Sequence, residues 1–333
     1  MAYRKYLCSA HSCLLYTLTI SPKKLTNDCM LYADDSKLIS KIQNATSVEN
    51  LQKDINTINE WCETWLMKLN VSKCKVMHMG KNNPMATYSM LGTDLETSTC
   101  EKDLGVFITE DLKWTTHVQT IATRANRILG MLKRSIIYKW PSVWKQFYTS
   151  LIRPHLEYAV QAWKPTQLGD IDRLEKIQKR ALRVPHQLRG LTYEKRLESM
   201  ELTNLEMRRG RGDLIQAYKI LNGIELVRQE CMPKYAPSRN SSGPASRTRG
   251  NSQKLQRQDF RSRIKNDFGG AVESRHNFFS NRVVPLWNGL PDDVVRAPNL
   301  NGFKARLDSF MSKLRVMSGA ATAGYSRIPC SGE

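Results

Sequence analysis

The sequence Leu31-Tyr32-Ala33-Asp34-Asp35-Ser36-Lys37-Leu38 sets the fold of the first part of this chain. Short apolar runs lie on both sides of two adjacent aspartates, which predicts a strand, a tight turn and a second strand, with Asp34 and Asp35 at the tip. Adjacent carboxylates repel each other in water, so two of them held at one turn suit a hard divalent cation. An isolated Asp-Asp pair is most often a solvated turn, and the surrounding sequence has to decide between the two interpretations.

A long amphipathic helix is predicted directly after this hairpin, over residues 46–69. Its apolar side chains recur at alternating spacings of three and four, which places them in one stripe on a helix. Thr46 and Glu49 have the spacing of a capping box at its start. We expect the stripe to face the core, although an interaction surface has the same pattern. The stripe consists of Val48, Leu51, Ile55, Ile58, Cys62, Trp65 and Leu69.

Three further short strands follow, at residues 75–79, 88–91 and 104–108. The last of these has Gly105 inside it, and a glycine within a strand marks a bulge or a close approach of the backbone to another group. From Thr116 onwards the pattern is helical for about a hundred residues. Pro141 suits the first turn of the second helix, Asp170 is a candidate cap of the third, and Thr203 or Asn204 is a candidate cap of the fourth.

Five stretches of the chain, in the same order, resemble the C-terminal part of the reverse transcriptase of LINE-type, jockey-like non-LTR retrotransposons. The resemblance covers about residues 28–315. A single Tyr-Ala-Asp-Asp box is a weak signal, whereas several motifs in register are a specific one. The matching stretches are the catalytic box at residues 32–35, the next motif at 69–78, the primer grip at 102–108, the thumb at 152–158 and the tail at 286–291.

The resemblance implies a chemistry and a set of residues. Reverse transcription joins a primer 3′-hydroxyl to the α-phosphate of a nucleotide, with carboxylates holding two metal ions. Mg²⁺ or Mn²⁺ is then the cofactor of the complete enzyme, and an RNA template and a DNA primer are partners bound with little sequence preference. The implied residues are Asp34 as metal ligand, Asp35 as its supporting partner, Lys73 as proton donor to the leaving group, Tyr32 beside the primer terminus, and Leu104, Gly105 and Val106 as primer grip.

Two of these assignments have ordinary alternatives, since Lys73 also fits a surface lysine and Tyr32 a core aromatic. The family's other essential carboxylate and its Gln-Gly segment precede the box, but here no aspartate precedes Asp28 and no glycine precedes Gly80. Asp28 stands about 20 Å from Asp34 along a strand, which is too far for shared coordination. We therefore expect a fragment without the fingers, the first part of the palm and the endonuclease portion, inactive alone and holding no metal tightly.

The charge of the chain points to a polyanionic partner. Its formal net charge is +20 over 333 residues, which favours nucleic acid first and an acidic membrane second. No acidic residue lies between Arg124 and Leu156, so we interpret this part as a thumb that faces nucleic acid, with its tryptophans mostly in the core. A solvated helical face is the alternative. The candidate phosphate-binding residues are Arg124, Arg127, Lys133, Arg134, Lys139, Lys145 and Arg153.

The eight cysteines show neither a Cys-x-x-Cys pair nor a paired Cys/His spacing. This pattern argues against a zinc knuckle or a disulfide framework and favours a reducing compartment, nucleus or cytoplasm. The apolar run of residues 13–20 is too short to span a bilayer. We therefore expect no membrane partner.

The predicted fold class is α+β. It comprises a partial polymerase palm of antiparallel β-hairpins with a backing helix, an all-α thumb and a small helical C-terminal module. A non-catalytic basic nucleic-acid-binding module, or the product of a decayed element, remains the alternative. The predicted divisions are an unassigned segment (1–27), palm (28–112), thumb (113–225), basic disordered linker (226–270), C-terminal module (271–317) and disordered tail (318–333).

Overall fold

The computed structural model describes residues 2–3, 6–7, 25–32, 35–80, 83–228, 232–236, 251–257 and 277–318, with the side chains of 2–3, 6–7 and 314–318 left aside. The chain divides into two units, residues 1–116 and 117–333. Helices and small, mostly antiparallel sheets are both present. The expectation of a mixed fold with antiparallel hairpins is therefore confirmed.

The first unit contains the predicted hairpin. Its first four strands are β1 (Ala2–Tyr3), β2 (Tyr6–Leu7), β3 (Asp28–Tyr32) and β4 (Asp35–Ile39). Strands β3 and β4 are antiparallel neighbours, with Tyr32 opposite Asp35, and residues 33–34 lie outside the described residues. Strand β2 pairs with the other edge of β4, placing Leu7 opposite Asp35. Strand β4 is therefore central in a three-stranded sheet, which leaves both of its edges paired.

Helix α1 (Ala45–Thr64) packs against this sheet. It begins after Asn44, whose side-chain oxygen accepts the Ser47 N–H at 2.9 Å. The predicted capping box at Thr46 and Glu49 is therefore wrong, because both residues already lie within the helix. The helix ends at Thr64, and Leu66 adopts a positive φ of 54°, so the apolar stripe leaves the helix before Leu69.

The stripe of α1 faces the core as far as Cys62, as predicted, whereas Trp65 follows the helix and is 48% exposed, contrary to the prediction. Leu51, Ile55 and Cys62 are buried in one apolar cluster with Leu38 of β4 and Val76. The helix also holds the start of β3 through a buried carboxylate: Asp54 accepts the backbone N–H groups of residues 26 and 27 at 2.9 and 2.8 Å. Helix and hairpin are thus joined by apolar packing along the stripe and by hydrogen bonds at one end.

The remaining strands of the first unit form short pairs. They are β5 (Lys75–His78), β6 (Ser89–Met90), β7 (Thr93–Asp94), β8 (Glu96–Thr97), β9 (Cys100–Asp103) and β10 (Val106–Thr109). Strand β5 pairs antiparallel with β1 and parallel with β8.

The strand predicted over residues 104–108 is present as β10, but it begins two residues later, at Val106. Strands β9 and β10 form a hairpin with Val106 opposite Asp103, so Leu104 and Gly105 are its two-residue turn. Both turn residues have positive φ, 43° and 86°, which is the combination that a type I′ hairpin turn requires. Gly105 is there because glycine adopts this conformation without strain, and not because of a bulge.

The second unit is helical over its first hundred residues. Its helices are α2 (Thr115–Ser135, beginning in the first unit), α3 (Pro141–Phe147), α4 (Arg153–Glu157), α5 (Val160–Trp163), α6 (Leu168–Ala181), α7 (Tyr193–Ser199) and α8 (Leu205–Leu221). Pro141 begins α3 and Asn204 caps α8, as predicted. Asp170 does not cap α6, which begins after Gln167 and buries Asp170 in its first turn.

The C-terminal part completes the core of the helical unit. It comprises β11 (Lys234–Tyr235), β12 (Leu255–Gln256), α9 (Phe279–Asn288), α10 (Asp292–Val295) and α11 (Leu300–Ser318). Tyr218 of α8 packs with Trp287 and Phe303 in one apolar cluster. Asp213 of α8, whose side chain is fully buried, accepts from Lys164 at 3.1 Å and from Arg282 at 2.9 Å. The predicted thumb and C-terminal module therefore share one core.

Part of the predicted disordered linker is ordered. Strands β11 and β12 pair, and Leu255 is buried in the apolar cluster. The buried Asn251 side chain donates to the carbonyl oxygens of Trp287 at 2.9 Å and Leu290 at 3.1 Å. Composition predicted disorder because two anchoring side chains do not alter the average of a polar stretch. The basic residues between 239 and 249 and between 258 and 276 lie outside the described residues.

None of the described helices is long and apolar enough to cross a bilayer. Among the cysteines, Cys29 and Cys100 are free thiols. Burial, reinforced by the nearby carboxylate of Asp54, raises the pKa of Cys29 to about 11, which keeps this thiol protonated and unreactive at neutral pH.

His117 makes the stability of the helical unit depend on pH. Its ring is buried edge-to-face against Trp163, with centroids 4.7 Å apart, and burial lowers its pKa to about 4. The unfolded chain has the ordinary value near 6.5 and binds a proton first, so stability is full above pH 6.5 and falls as the pH drops towards 4. We expect a loss of up to about 3 kcal/mol, measured by urea titration at pH 7.5 and pH 4.5.

The variant H117N is the control, because the asparagine does not titrate in this range. Both proteins share the titration of every other group, so the difference between their pH dependences isolates His117. Equal losses of stability in the two proteins between pH 7.5 and pH 4.5 would refute the assignment.

Candidate nucleic-acid interface

The hairpin β3–β4 presents one described carboxylate beside an exposed aromatic ring. Asp35 is the first residue of β4 and is half-buried, whereas Tyr32, directly opposite, is 64% exposed. The core alternative for Tyr32 is therefore excluded, and its place beside a primer terminus stays a prediction. Asp34 lies outside the described residues, so the structure does not test how the two aspartates stand relative to each other.

The described residues do not by themselves make a metal centre. Within them, no three histidine, cysteine or acidic side chains come close enough to hold a metal ion. The other acid of the hairpin, Asp28, begins β3 opposite Ile39, at the end away from Asp35. A two-metal site needs several carboxylates around a shared space, and here the described hairpin contributes only Asp35.

An ion pair joins this hairpin to the predicted primer grip. The ammonium of Lys37 in β4 contacts the carboxylate of Asp103 in β9, and both side chains are close to buried. Asp35 and Lys37 are two residues apart on one strand and so share a face of the sheet. Asp103 immediately precedes the turn at Leu104 and Gly105. The ion pair therefore brings the face that carries Asp35 together with the turn.

The sequence did not predict this ion pair, and it predicted the surroundings of the neighbouring residues only in part. No local pattern links Lys37 with Asp103, because 66 positions separate them. Leu104 in the turn is 41% exposed, whereas Val106, the first residue of β10, is buried. Lys73 ends a single turn of 3₁₀ helix, Val71–Lys73, and its side chain is exposed. The exposure of Lys73 suits either a surface lysine or a residue that meets a ligand.

The second unit carries the predicted cations on α2. Arg124, Arg127 and Arg134 recur at spacings of three and seven and are all exposed, which places them on one face of the helix. We call these three residues the basic face of α2. The apolar residues of the opposite face, which are buried, are Val118, Ala122, Ala125, Leu129 and Leu132. The helix thus separates a core stripe from a cationic stripe.

Not every predicted cation belongs to this surface. Lys133 is exposed but points off the basic face, and Lys139 is half-buried. Lys145 pairs with Glu201 at 2.6 Å, and Arg153 lies 3.9 Å from Glu157, which also binds Arg208. The acid-free run therefore meets acids from elsewhere in the chain, and Lys145 and Arg153 are occupied within the protein.

Two basic neighbours of the face were missed from sequence. Arg180, at the end of α6, donates to the side-chain oxygen of Asn126 at 2.8 Å and is exposed. It therefore lies next to Arg127. His155 of α4 has its pKa lowered, first by burial and second by the charge of Arg124, which places it beside the other end of the face. A cationic last turn of α6 was the available signal for Arg180.

Comparison with known proteins identifies relatives. No protein-family model and no solved structure matches the chain. A probable RNA-directed DNA polymerase from transposon BS of Drosophila melanogaster is 23% identical over 177 residues, 50% of this chain and 20% of that protein. The RNA-directed DNA polymerase from mobile element jockey of the same organism is 22% identical over 162 residues, 46% of this chain and 17% of that protein. The chain is thus similar to the RNA-directed DNA polymerases of two mobile elements, one of them jockey. The matches span about a fifth of the length of these relatives.

We predict that removing Lys37 destabilises the first unit. K37M leaves the carboxylate of Asp103 close to buried and without this cation, and breaking such a pair costs about 3 kcal/mol. Urea titration of K37M should show that loss, and the double variant K37M/D103N should recover most of it because no unpaired charge remains. K41M, which removes an exposed lysine from the same region, is the matched control. A K37M protein as stable as K41M would show that the pair does not hold the two hairpins.

Proposed function

We propose that this chain is part of the reverse transcriptase of a jockey-like non-LTR retrotransposon. The first unit would be the end of the palm, and the helical unit would begin with a thumb that binds nucleic acid. The observation that carries the proposal is the Lys37–Asp103 ion pair, which brings the hairpin of Tyr32 and Asp35 together with the turn of the predicted primer grip. Similarity to two RNA-directed DNA polymerases supports it.

Each palm residue then has a proposed task. Asp34 and Asp35 would be carboxylate ligands of Mg²⁺ or Mn²⁺, the ions that stabilise the attacking and leaving oxygens when bound. The exposed ring of Tyr32 would contact the primer terminus, and the turn of Leu104 and Gly105, which Val106 follows as the first residue of β10, would approach the sugar-phosphate. The exposed ammonium of Lys73 would supply the proton to the leaving group. An RNA template and a DNA primer would be the partners.

The helical unit supplies a surface for phosphates. Helix α2 contains no acidic residue, and its basic face lies opposite the stripe that is buried in the core. Arg180 extends the face from α6. A row of exposed guanidinium groups neutralises phosphates and releases their counterions, and this contribution does not depend on base sequence.

We expect the basic face to govern the salt dependence of binding. The triple variant R124Q/R127Q/R134Q should reduce the slope of log affinity against log salt concentration by about two to three for an RNA–DNA duplex, since each phosphate contact contributes about 0.9. The matched control K41Q/K53Q/K68Q removes three exposed charges from the first unit. Filter binding between 50 and 300 mM KCl measures both. A salt-independent affinity, or an equal loss in the control, would contradict the proposal.

We also expect no primer extension by this chain alone on an RNA template with Mg²⁺ or Mn²⁺. The reason is that the sequence has no aspartate before Asp28 and that a two-metal reaction needs more carboxylates than Asp34 and Asp35 supply. A polymerase assay with radiolabelled primer tests this against the variant D34N. Extension that D34N abolishes would prove the chain catalytically complete.

A non-catalytic nucleic-acid-binding module is the second candidate. Two features of the helical unit favour it: the unit has an apolar core formed by its own residues, and its helix α2 carries exposed cations. A third assay, complementation, separates the candidates. Salt-dependent binding without extension fits both the fragment and the module, and addition of the remaining part of the relatives' polymerase would restore extension only for the fragment.

A further inference from the structure

The connection between α2 and α3 displays three large apolar side chains to solvent. Ile137 is 82% exposed, Tyr138 74% and Trp140 58%. We call residues 136–140 the aromatic loop. Single exposed apolar residues are ordinary on protein surfaces, whereas three among four consecutive residues form a patch, and patches of this kind mark interaction sites.

The aromatic loop is fixed at both ends. The N–H of Ile136 donates to the carbonyl of Leu132 at 3.0 Å, and the carbonyl of Trp140 accepts the N–H of Trp144 at 2.8 Å. Trp144 is fully buried, and its indole N–H donates to the carbonyl of Ala181 at 2.9 Å. Because both flanking helices are anchored in the core, the short loop holds its rings outward at a defined place.

Cationic residues adjoin these rings in the sequence. Lys133 and Arg134 lie in the last turn of α2, just before the loop, and Lys139 stands between Tyr138 and Trp140. Behind them the basic face runs back along α2 from Arg134 to Arg124, a distance of about 15 Å at the rise of an α-helix. An elongated row of positive charge that ends in exposed rings complements a strand of phosphates whose bases are free to stack.

We propose that Tyr138 and Trp140 stack on unpaired bases of a single-stranded DNA or RNA segment whose phosphates lie along the basic face of α2. This proposal rests on the nucleic-acid binding proposed above. Bases inside a duplex are already stacked on each other, so the rings reach only unpaired nucleotides. Stacking on aromatic side chains tolerates every base, because each base has a flat π-face.

The test compares two nucleic-acid probes and two pairs of aromatic residues. The probes are a 15-nucleotide single strand, oligo(dT) or oligo(U), and a blunt 15-base-pair duplex. The variant Y138A/W140A should lose at least about tenfold in affinity for the single strands, because each base that stacks on an aromatic ring adds to the affinity, and change less than twofold for the duplex. The conservative variant Y138F/W140F keeps the rings and should retain most of the affinity.

A matched control removes two similarly exposed rings from elsewhere in the same unit. Phe278 is 53% exposed and Tyr235 48%, and Y235A/F278A should leave both affinities unchanged. Circular dichroism before and after heating establishes that each variant is folded, and the Phe variant gives an answer should the Ala variant be unstable.

The outcomes distinguish this proposal from the one it rests on. A wild-type chain that binds neither probe overturns both. A chain that binds both probes with a salt dependence governed by the basic face, yet is unchanged in Y138A/W140A, overturns only the stacking. Equal loss for duplex and single strand also overturns it. Binding to vesicles of phosphatidylserine and phosphatidylcholine that Y138A/W140A abolishes, with unchanged affinity for the single strand, would assign the rings to a membrane surface instead.

Discussion

The ion pair between Lys37 and Asp103 is the contact on which the geometry of the first unit depends. A nearly buried pair adds little net stability, because removing both charges from water offsets most of their attraction. Its effect is on specificity, because any arrangement that separates the two leaves a charge in a poorly solvated place. The register of β4 matters for the same reason. A slip of one residue would turn Asp35 and Lys37 to the other face of the sheet together, and the pair with Asp103 would be lost.

Local patterns predicted the elements with a clear apolar periodicity and missed polar elements and distant contacts. The two apolar runs around Asp34 and Asp35 predicted the hairpin, and the spacing from Val48 to Cys62 predicted the core face of α1. The turn at Leu104 and Gly105 was missed because β9, with Glu101 and Lys102, reads as polar and gives no strand signal of its own. The cap of α1 was missed for a related reason, since Asn44 caps this helix through a geometry that several nearby polar residues would permit equally well.

At the candidate nucleic-acid surface too, distant contacts change what the local sequence predicts. An acid-free run describes neighbours along the chain, whereas the affinity for a phosphate depends on the charges that lie near it in space. Glu201 and Glu157 fold back onto Lys145 and Arg153, so these two cations are neutralised from outside the run. Arg180 also lies outside this run in the sequence, but it adds positive charge beside Arg127. The face that remains is smaller than the run and is defined by the helical spacing of α2.

Two tryptophans show why composition alone does not predict which side chains are buried. Trp140 and Trp144 are four residues apart in the same cationic stretch, and sequence alone assigned its tryptophans mostly to the core without distinguishing the two. Trp144 is buried with its indole N–H bonded to a carbonyl of α6, while Trp140 precedes the first turn of α3 and is exposed. The difference follows from Pro141, which starts the helix between them: the residue before a proline is held extended, so Trp140 leaves the helical face that carries Trp144 inward. One backbone constraint thus separates a core residue from a surface one, and it gives the exposed ring a fixed position beside the cations of α2.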